Sequence, residues 1–344
     1  MRMFGKLVAA ALPMLALAGC GSQSRDQIKI VGSSTVYPFT TAVAEQFVNK
    51  HSNMKAPVVE STGTGAGVKL FCAGIGPQHP DILNASRQMK KSEYDTCQQN
   101  GVGEIMEIQI GTDGIALAES NNGPKFKLTR QDVYLALAAN PKGEKNTART
   151  WKDVNPALPA IPIQVYGPPS TSGTRDAFVE LVMDPGCEAA MPAAKAMKAG
   201  NPDRFKDVCS KIRDDGPYVD KGENDNLIVQ NLAANPNAVG IFGYSYLEEN
   251  KDRLHGVPLE GIEPTYETIA MGRYPGARPL YLYVKKAHLK AVPGLKEFLD
   301  EYAEAWKPSG PLVKRGLIAA TNTTRLRSQD ILNNGIALNP ATLH

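Results

Sequence analysis

Ile28-Lys-Ile-Val-Gly-Ser-Ser-Thr-Val-Tyr-Pro-Phe-Thr-Thr-Ala-Val-Ala-Glu-Gln-Phe47 decides the fold. A short apolar strand ends at Val31, a turn of small residues follows at Gly32 to Thr35, and Val36, Phe39, Val43 and Phe47 then recur at helical spacing. A strand feeding a helix through such a turn presents unpaired backbone N–H groups, the positive end of a helix dipole and neutral hydroxyls to whatever sits beyond the strand end. Two further stretches repeat the pattern: Ser61 to Gly67, after an apolar run from Pro57, and Ser170 to Arg175, after a strand over Ile161 to Gly167. One such turn is an ordinary helix cap. Three of them point to one small oxyanion held where helix starts converge.

The same alternation runs outward in both directions. Strands are expected at Ile82 to Ser86, Gly114 to Ala118, Val239 to Phe242 and Arg278 to Val284. Helices are expected at Ala66 to Ala73, about Thr129 to Ala139 (with Thr129 and Asp132 as a capping pair), Thr174 to Met183, Leu227 to Ala234, Pro293 to Trp306 and Arg325 to Asn333. The fold class is α/β, with ligands at the carboxyl ends of strands. Tyr281 and Tyr283 alternate with Leu280, Leu282 and Val284 and read as packed strand rather than as a sugar-stacking platform.

The first 27 residues stand outside that pattern. Met1 to Lys6 is basic, Leu7 to Leu17 is apolar apart from Pro13, and Leu17-Ala-Gly-Cys20 resembles a bacterial lipobox, so residues 1–19 read as a lipoprotein signal peptide and Cys20 as the lipidated residue. Residues 20–27 are a polar tether. With Cys20 set aside, Cys72, Cys97, Cys187 and Cys209 remain. An even number in an exported chain favours two disulfides. Four cysteines allow three connectivities, of which pairing sequence neighbours is the simplest.

Composition excludes more than it identifies. Lys and Arg total 38 against 35 Asp and Glu, for a net charge of +3, and the charges are mixed, so there is no stripe for nucleic acid. Lys90-Lys91 and Lys285-Lys286 read as solvated faces. The histidines are His51, His79, His255, His288 and His344; none accompanies a Gly-x-Ser-x-Gly elbow or has metal-ligand spacing, and all read as surface residues. Gly63 to Lys69 lacks the Gly-Lys-Ser/Thr ending of a nucleotide loop. The chain reads as no enzyme, with no cofactor. A secreted phosphatase-like hydrolase is the remote alternative.

Gly32-Ser-Ser-Thr-Val-Tyr-Pro38, Ser61-Thr-Gly-Thr-Gly-Ala-Gly-Val-Lys69, Ala85-Ser-Arg87, Ser172-Gly-Thr-Arg-Asp-Ala-Phe178 and Val239-Gly-Ile-Phe-Gly-Tyr244, taken in order, resemble the phosphate ABC-transporter substrate-binding proteins. Thr150 to Pro159 is similar to a linker segment of that family. The resemblance implies a type II periplasmic-binding fold: two α/β lobes, a ligand cleft between them and two hinge crossings, near Asp113 and Met271. One lobe would hold residues 28–113 and 272–344, the other 114–271. It implies an exported, lipid-anchored monomer that binds inorganic phosphate and delivers it to an ABC permease. Another tetrahedral oxyanion (sulfate, molybdate or arsenate) is the alternative ligand.

Matched motif to motif, Ser34 and Thr64 correspond to hydroxyl ligands, Thr35 to a backbone donor, and Ser172, Gly173 and Thr174 to a helix-start cluster of donors. Two positions depart from the best-known members. Arg87 stands where they carry an aspartate that accepts the phosphate proton. Pro168 stands where they carry an arginine, with Arg175 following the threonine instead. Both arginines are expected to meet phosphate oxygens. The proton acceptor is then sought among Asp225, Asp176 and Asp113, with Asp225 preferred because its polar turn precedes an apolar helix.

Overall fold

The computed structural model describes residues 25–222 and 225–343. The expected signal peptide, Cys20 and most of the tether lie outside the described residues. Among the described residues nine strands form one continuous sheet: β1 (Lys29–Gly32), β2 (Val58–Ser61), β3 (Ile82–Ala85), β4 (Ile105–Ser120), β5 (Val165–Gly167), β6 (Tyr218–Asp220), β7 (Val239–Gly243), β8 (Leu254–Gly256) and β9 (Ala277–Lys285). Their order is β2-β1-β3-β9-β4-β7-β5-β6, with β8 also on β4.

Two parallel groups, β2-β1-β3 and β7-β5-β6, are joined through antiparallel β9 and β4. β4 does the joining. Its 16 residues span about 50 Å of extended chain. The first part pairs with β9 from Ile105↔Lys285 to Gly114↔Ala277, and the second with β7 from Ile115↔Gly243 to Ala118↔Gly240. A bulge between Gln109 and Gly111 shifts the register ahead of the changeover. The expected strand at Gly114 to Ala118 is therefore the second part of a longer one.

The core divides at the same place. One apolar cluster gathers Ile115, Leu117, Phe178, Ile228, Phe242 and their neighbours, and a second gathers Ile30, Phe47, Ile82, Leu282 and Phe298. A third, built on Phe71, Leu83, Cys97 and Tyr283, covers the other face of the β1-β3-β9 sheet. Ile82 and Leu83, like Leu282 and Tyr283, enter opposite clusters because successive strand residues face opposite ways. With both faces covered, the tyrosines of β9 are packing residues, as their alternation implies.

Helix Tyr37–Lys50 buries Phe39, Val43 and Phe47 on one side, at the spacing the sequence shows. Thr129 caps helix Arg130–Leu137 with a reciprocal bond to Asp132. The helix expected at Thr174 to Met183 begins at Gly173, passes through a wide turn at Val179–Met183 and continues as Asp184–Ala190. Disulfides join Cys72 to Cys97 and Cys187 to Cys209.

Two surface expectations fail. Lys285 is fully buried and His288 is 3% exposed. Both are absorbed by Asp81 and the loop before it: His288 Nδ1 lies 2.6 Å from Asp81 Oδ1, and Lys285 Nζ donates to Gly74 O at 2.6 Å.

Candidate functional site

The carboxyl ends of β1, β5 and β7 and the changeover point of β4 meet at a cavity of about 330 Å³. Gly32 makes the turn after β1 possible: its φ is +132°, and a Cβ there would lie 2.1 Å from the Asn84 carbonyl oxygen. Buried Ser33, rather than Ser34, holds the turn, its Oγ accepting the amides of Thr35 at 3.2 Å and Val36 at 3.4 Å. That leaves Ser34 and Thr35 at the cavity wall.

Across the cavity, Ser172 Oγ accepts the Thr174 amide at 3.2 Å and caps the helix that begins at Gly173. Ser172, Gly173 and Thr174 all line the cavity. So does Asp225, in the first turn of helix Asp225–Ala234, where a carboxylate suits the positive end of the helix dipole. Of the expected residues, the structure brings together Ser34, Thr35, Ser172, Gly173, Thr174 and Asp225.

The other three are engaged outside the described lining. Thr64 Oγ1 accepts the Ser86 amide at 3.1 Å, fastening the start of helix Thr64–Phe71 to the end of β3. Arg87 makes a two-pronged pair with Glu93, at 2.7 and 2.9 Å. Arg175 stacks 4.2 Å over the Tyr218 ring and donates to Pro168 O at 3.2 Å, bracing the turn that leads into Ser172.

Gly114, Tyr246 and Arg315 also line the cavity without having been among the expected ligands, and so does Asp113, one of the three carboxylates considered as proton acceptor. Asp113 and Gly114 come from the β4 changeover, Tyr246 follows β7, and Arg315 comes from the turn ending at Gly316. Behind them stands Arg278, 8% exposed, at the head of β9. Its Nη2 donates to Thr35 Oγ1 at 2.7 Å, its Nε to Asp113 Oδ2 at 3.3 Å, and its Nη1 to Glu180. A charged residue opening an otherwise apolar strand was the signal available for it.

These contacts fix the chemistry of the wall. The Thr35 and Ser172 oxygens each already accept one hydrogen bond, and their hydroxyl hydrogens are free to be donated. Burial pushes the Asp113 carboxyl above the usual carboxylate range, and the Arg278 guanidinium pulls it back. Burial, reinforced by Glu180, likewise raises Asp176 beside it. The cavity thus presents neutral donors from two sides, the Arg315 guanidinium as a charged one, and the carboxyl groups of Asp113 and Asp225.

Comparison with known proteins agrees with that architecture. Residues 20–305 match the model of the PBP superfamily domain. Protein SphX of Synechococcus elongatus is 31% identical over 335 residues, covering 92% of this chain and 88% of its own. The phosphate-binding protein PstS of Staphylococcus saprophyticus is 30% identical over 309 residues, covering 87% and 84%. Among solved structures, a possible phosphate-binding protein from Planctomyces limnophilus superposes with a TM-score of 0.71 at 28% identity, covering 90% of this chain and 98% of that one. With its strand-end cavity and its two cores joined through β4, the chain belongs to the PBP superfamily, among the substrate-binding proteins of phosphate ABC transporters.

Proposed function

We propose that this protein is an extracytoplasmic receptor that captures inorganic phosphate between two lobes and hands it to an ABC permease. The observation that carries this reading is the meeting of Ser34 and Thr35 with Ser172, Gly173 and Thr174 around one cavity that also holds Asp113 and Asp225. Desolvating a small anion is costly unless its oxygens are fully paired, and hydroxyls with helix-start amides supply that pairing. Phosphate near neutral pH still carries a proton and sulfate does not. A carboxylate in the wall accepts a hydrogen bond from the phosphate hydroxyl and repels sulfate.

Asp113 and Asp225 are the acceptors of this proposal, and Asp113 gains weight from its hold on Arg278. In the same reading one lobe holds residues 28–113 and 272–344, the other holds 114–271, and Cys20 carries a lipid that anchors a monomer to the membrane. Among the described residues no helix is long and apolar enough to cross a membrane.

Titration calorimetry with phosphate on the mature chain, with arsenate, sulfate and molybdate as competitors, tests the assignment. Tight phosphate binding displaced by arsenate and not by sulfate is expected. Equal displacement by sulfate overturns the phosphate assignment. Thr174→Val, which deletes one hydroxyl donor from the cavity wall, should weaken binding by about 1 to 3 kcal/mol.

A further inference from the structure

We propose that Glu180 and Arg278 form a latch between the lobes that makes ligand capture and lobe closure one event. This deepens the receptor reading and rests on it. Arg278 opens β9 beside the β4 changeover, and its three donor nitrogens are divided among Asp113, Thr35 and Glu180. Asp113 belongs to the joining strand itself, and Thr35 to the turn after β1. Glu180 alone comes from the other side of the cavity, from the wide turn Val179–Met183, whose Val182 and Met183 pack into the Ile115 cluster. Rotating the lobes apart would break the Glu180 contact and leave the other two in place.

The exposure of the pair fits a contact made to be released. The Arg278 side chain is 9% exposed and Glu180 59%, so the guanidinium stays buried beside Asp113 while the Glu180 carboxylate returns to water at little cost. The turn that carries Glu180 departs from regular α-helix, a feature that often marks functional positions. Arg278 also reaches the ligand wall through a hydroxyl. By donating to Thr35 Oγ1 it leaves the Thr35 hydrogen directed elsewhere, and Thr35 lines the cavity. The residue that receives Glu180 on closure is therefore the one that sets a ligand donor.

A ligand that needs the closed form binds with an apparent affinity scaled by the closed fraction. Glu180→Gln removes the latch charge at an exposed position while keeping the Thr35, Asp113 and Arg278 side chains. It should weaken phosphate binding about three- to tenfold by calorimetry and speed phosphate release by a similar factor in stopped flow. Small-angle scattering of the ligand-free protein should give a larger radius of gyration for Glu180→Gln than for wild type, at equal melting temperature. Wild-type affinity and release rate in the variant would overturn the latch. If wild type binds no phosphate, the receptor reading fails, and the ligand-free scattering then decides alone: superimposable curves overturn the latch, and a larger variant upholds it.

Discussion

Lys285 and Asp81 carry the most consequential polar contacts away from the cavity. Asp81 is fully buried and gathers Arg25, the Lys29 amide at 2.7 Å and His288, while Lys285 Nζ sits 4.8 Å from the centre of the Phe71 ring. Burial lowers Lys285 from 10.5 to about 8, partly offset by Asp81. Between those values the unfolded chain binds the proton that the folded one has lost, so this lysine's contribution to stability is full above pH 10.5 and disappears as pH falls through about 8. Lys285→Met should therefore stabilise the protein most at pH 7, by about 1 to 3 kcal/mol, with the advantage shrinking toward pH 10. Urea denaturation of both proteins across that range measures it, and a pH-independent difference would exclude Lys285 as the titrating group. Nothing in Lys285-Lys286 announces this. The carbonyl that receives Lys285 belongs to Gly74, some two hundred positions earlier, and only β9 pairing with β3 brings them together. Ser34, Thr35 and the Ser172 cluster were legible because their donors are local to a turn. Arg278 was not, because its three partners come from three separate segments.

Elements were legible where one period governs them. Helix Tyr37–Lys50 and the Thr129 cap follow from side-chain spacing alone. The first half of β4 escaped because Glu107 and Gln109 interrupt its apolar run; they are tolerated where Tyr283 Oη donates to Glu107 Oε2 at 2.7 Å. Gly67 belongs to the close packing that spacing cannot show: a Cβ there would lie 2.5 Å from the Gly32 Cα, so helix Thr64–Phe71 rests directly on the turn after β1. The disulfides act at this scale. Cys187–Cys209 closes 22 residues and ties helix Asp184–Ala190 to the turn Lys206–Ser210, beside the segment that carries Glu180. Loop-closure entropy for that length is worth about 3 kcal/mol. The double variant Cys187→Ser, Cys209→Ser should lose about 2 to 4 kcal/mol in denaturant titrations, and a loss below 0.5 kcal/mol would show that the surrounding helices hold without it.

At the scale of the whole molecule, the Ile115 and Ile30 clusters are joined along β4 and β9, with the bridge from Thr112 to Ile318 and the Arg278–Glu180 contact crossing beside them. Cys187 and Cys209 belong to the Ile115 cluster and Cys72 and Cys97 to the cluster on the other face of the β1-β3-β9 sheet, so each lobe has its own disulfide and the means to unfold in its own step when nothing bridges the cavity. On the proposed site, a ligand held by Ser34 and Thr35 on one side and Thr174 on the other would bind only while both lobes are folded. It therefore adds RT ln(1 + [L]/Kd), about 2.7 kcal/mol at a hundredfold excess over Kd, to whichever lobe would unfold first. For lobes of this size that is a rise of about 5 to 10 °C in the first melting transition. Scanning calorimetry should accordingly show the first transition moving up toward the second as phosphate is added, until the two coincide. Sulfate at the same concentration should leave both in place, since a carboxylate that accepts a hydrogen bond from the phosphate hydroxyl repels a fully deprotonated anion. A phosphate shift confined to the later transition would mean that the anion is held by one lobe alone, and closure would lose its role in capture.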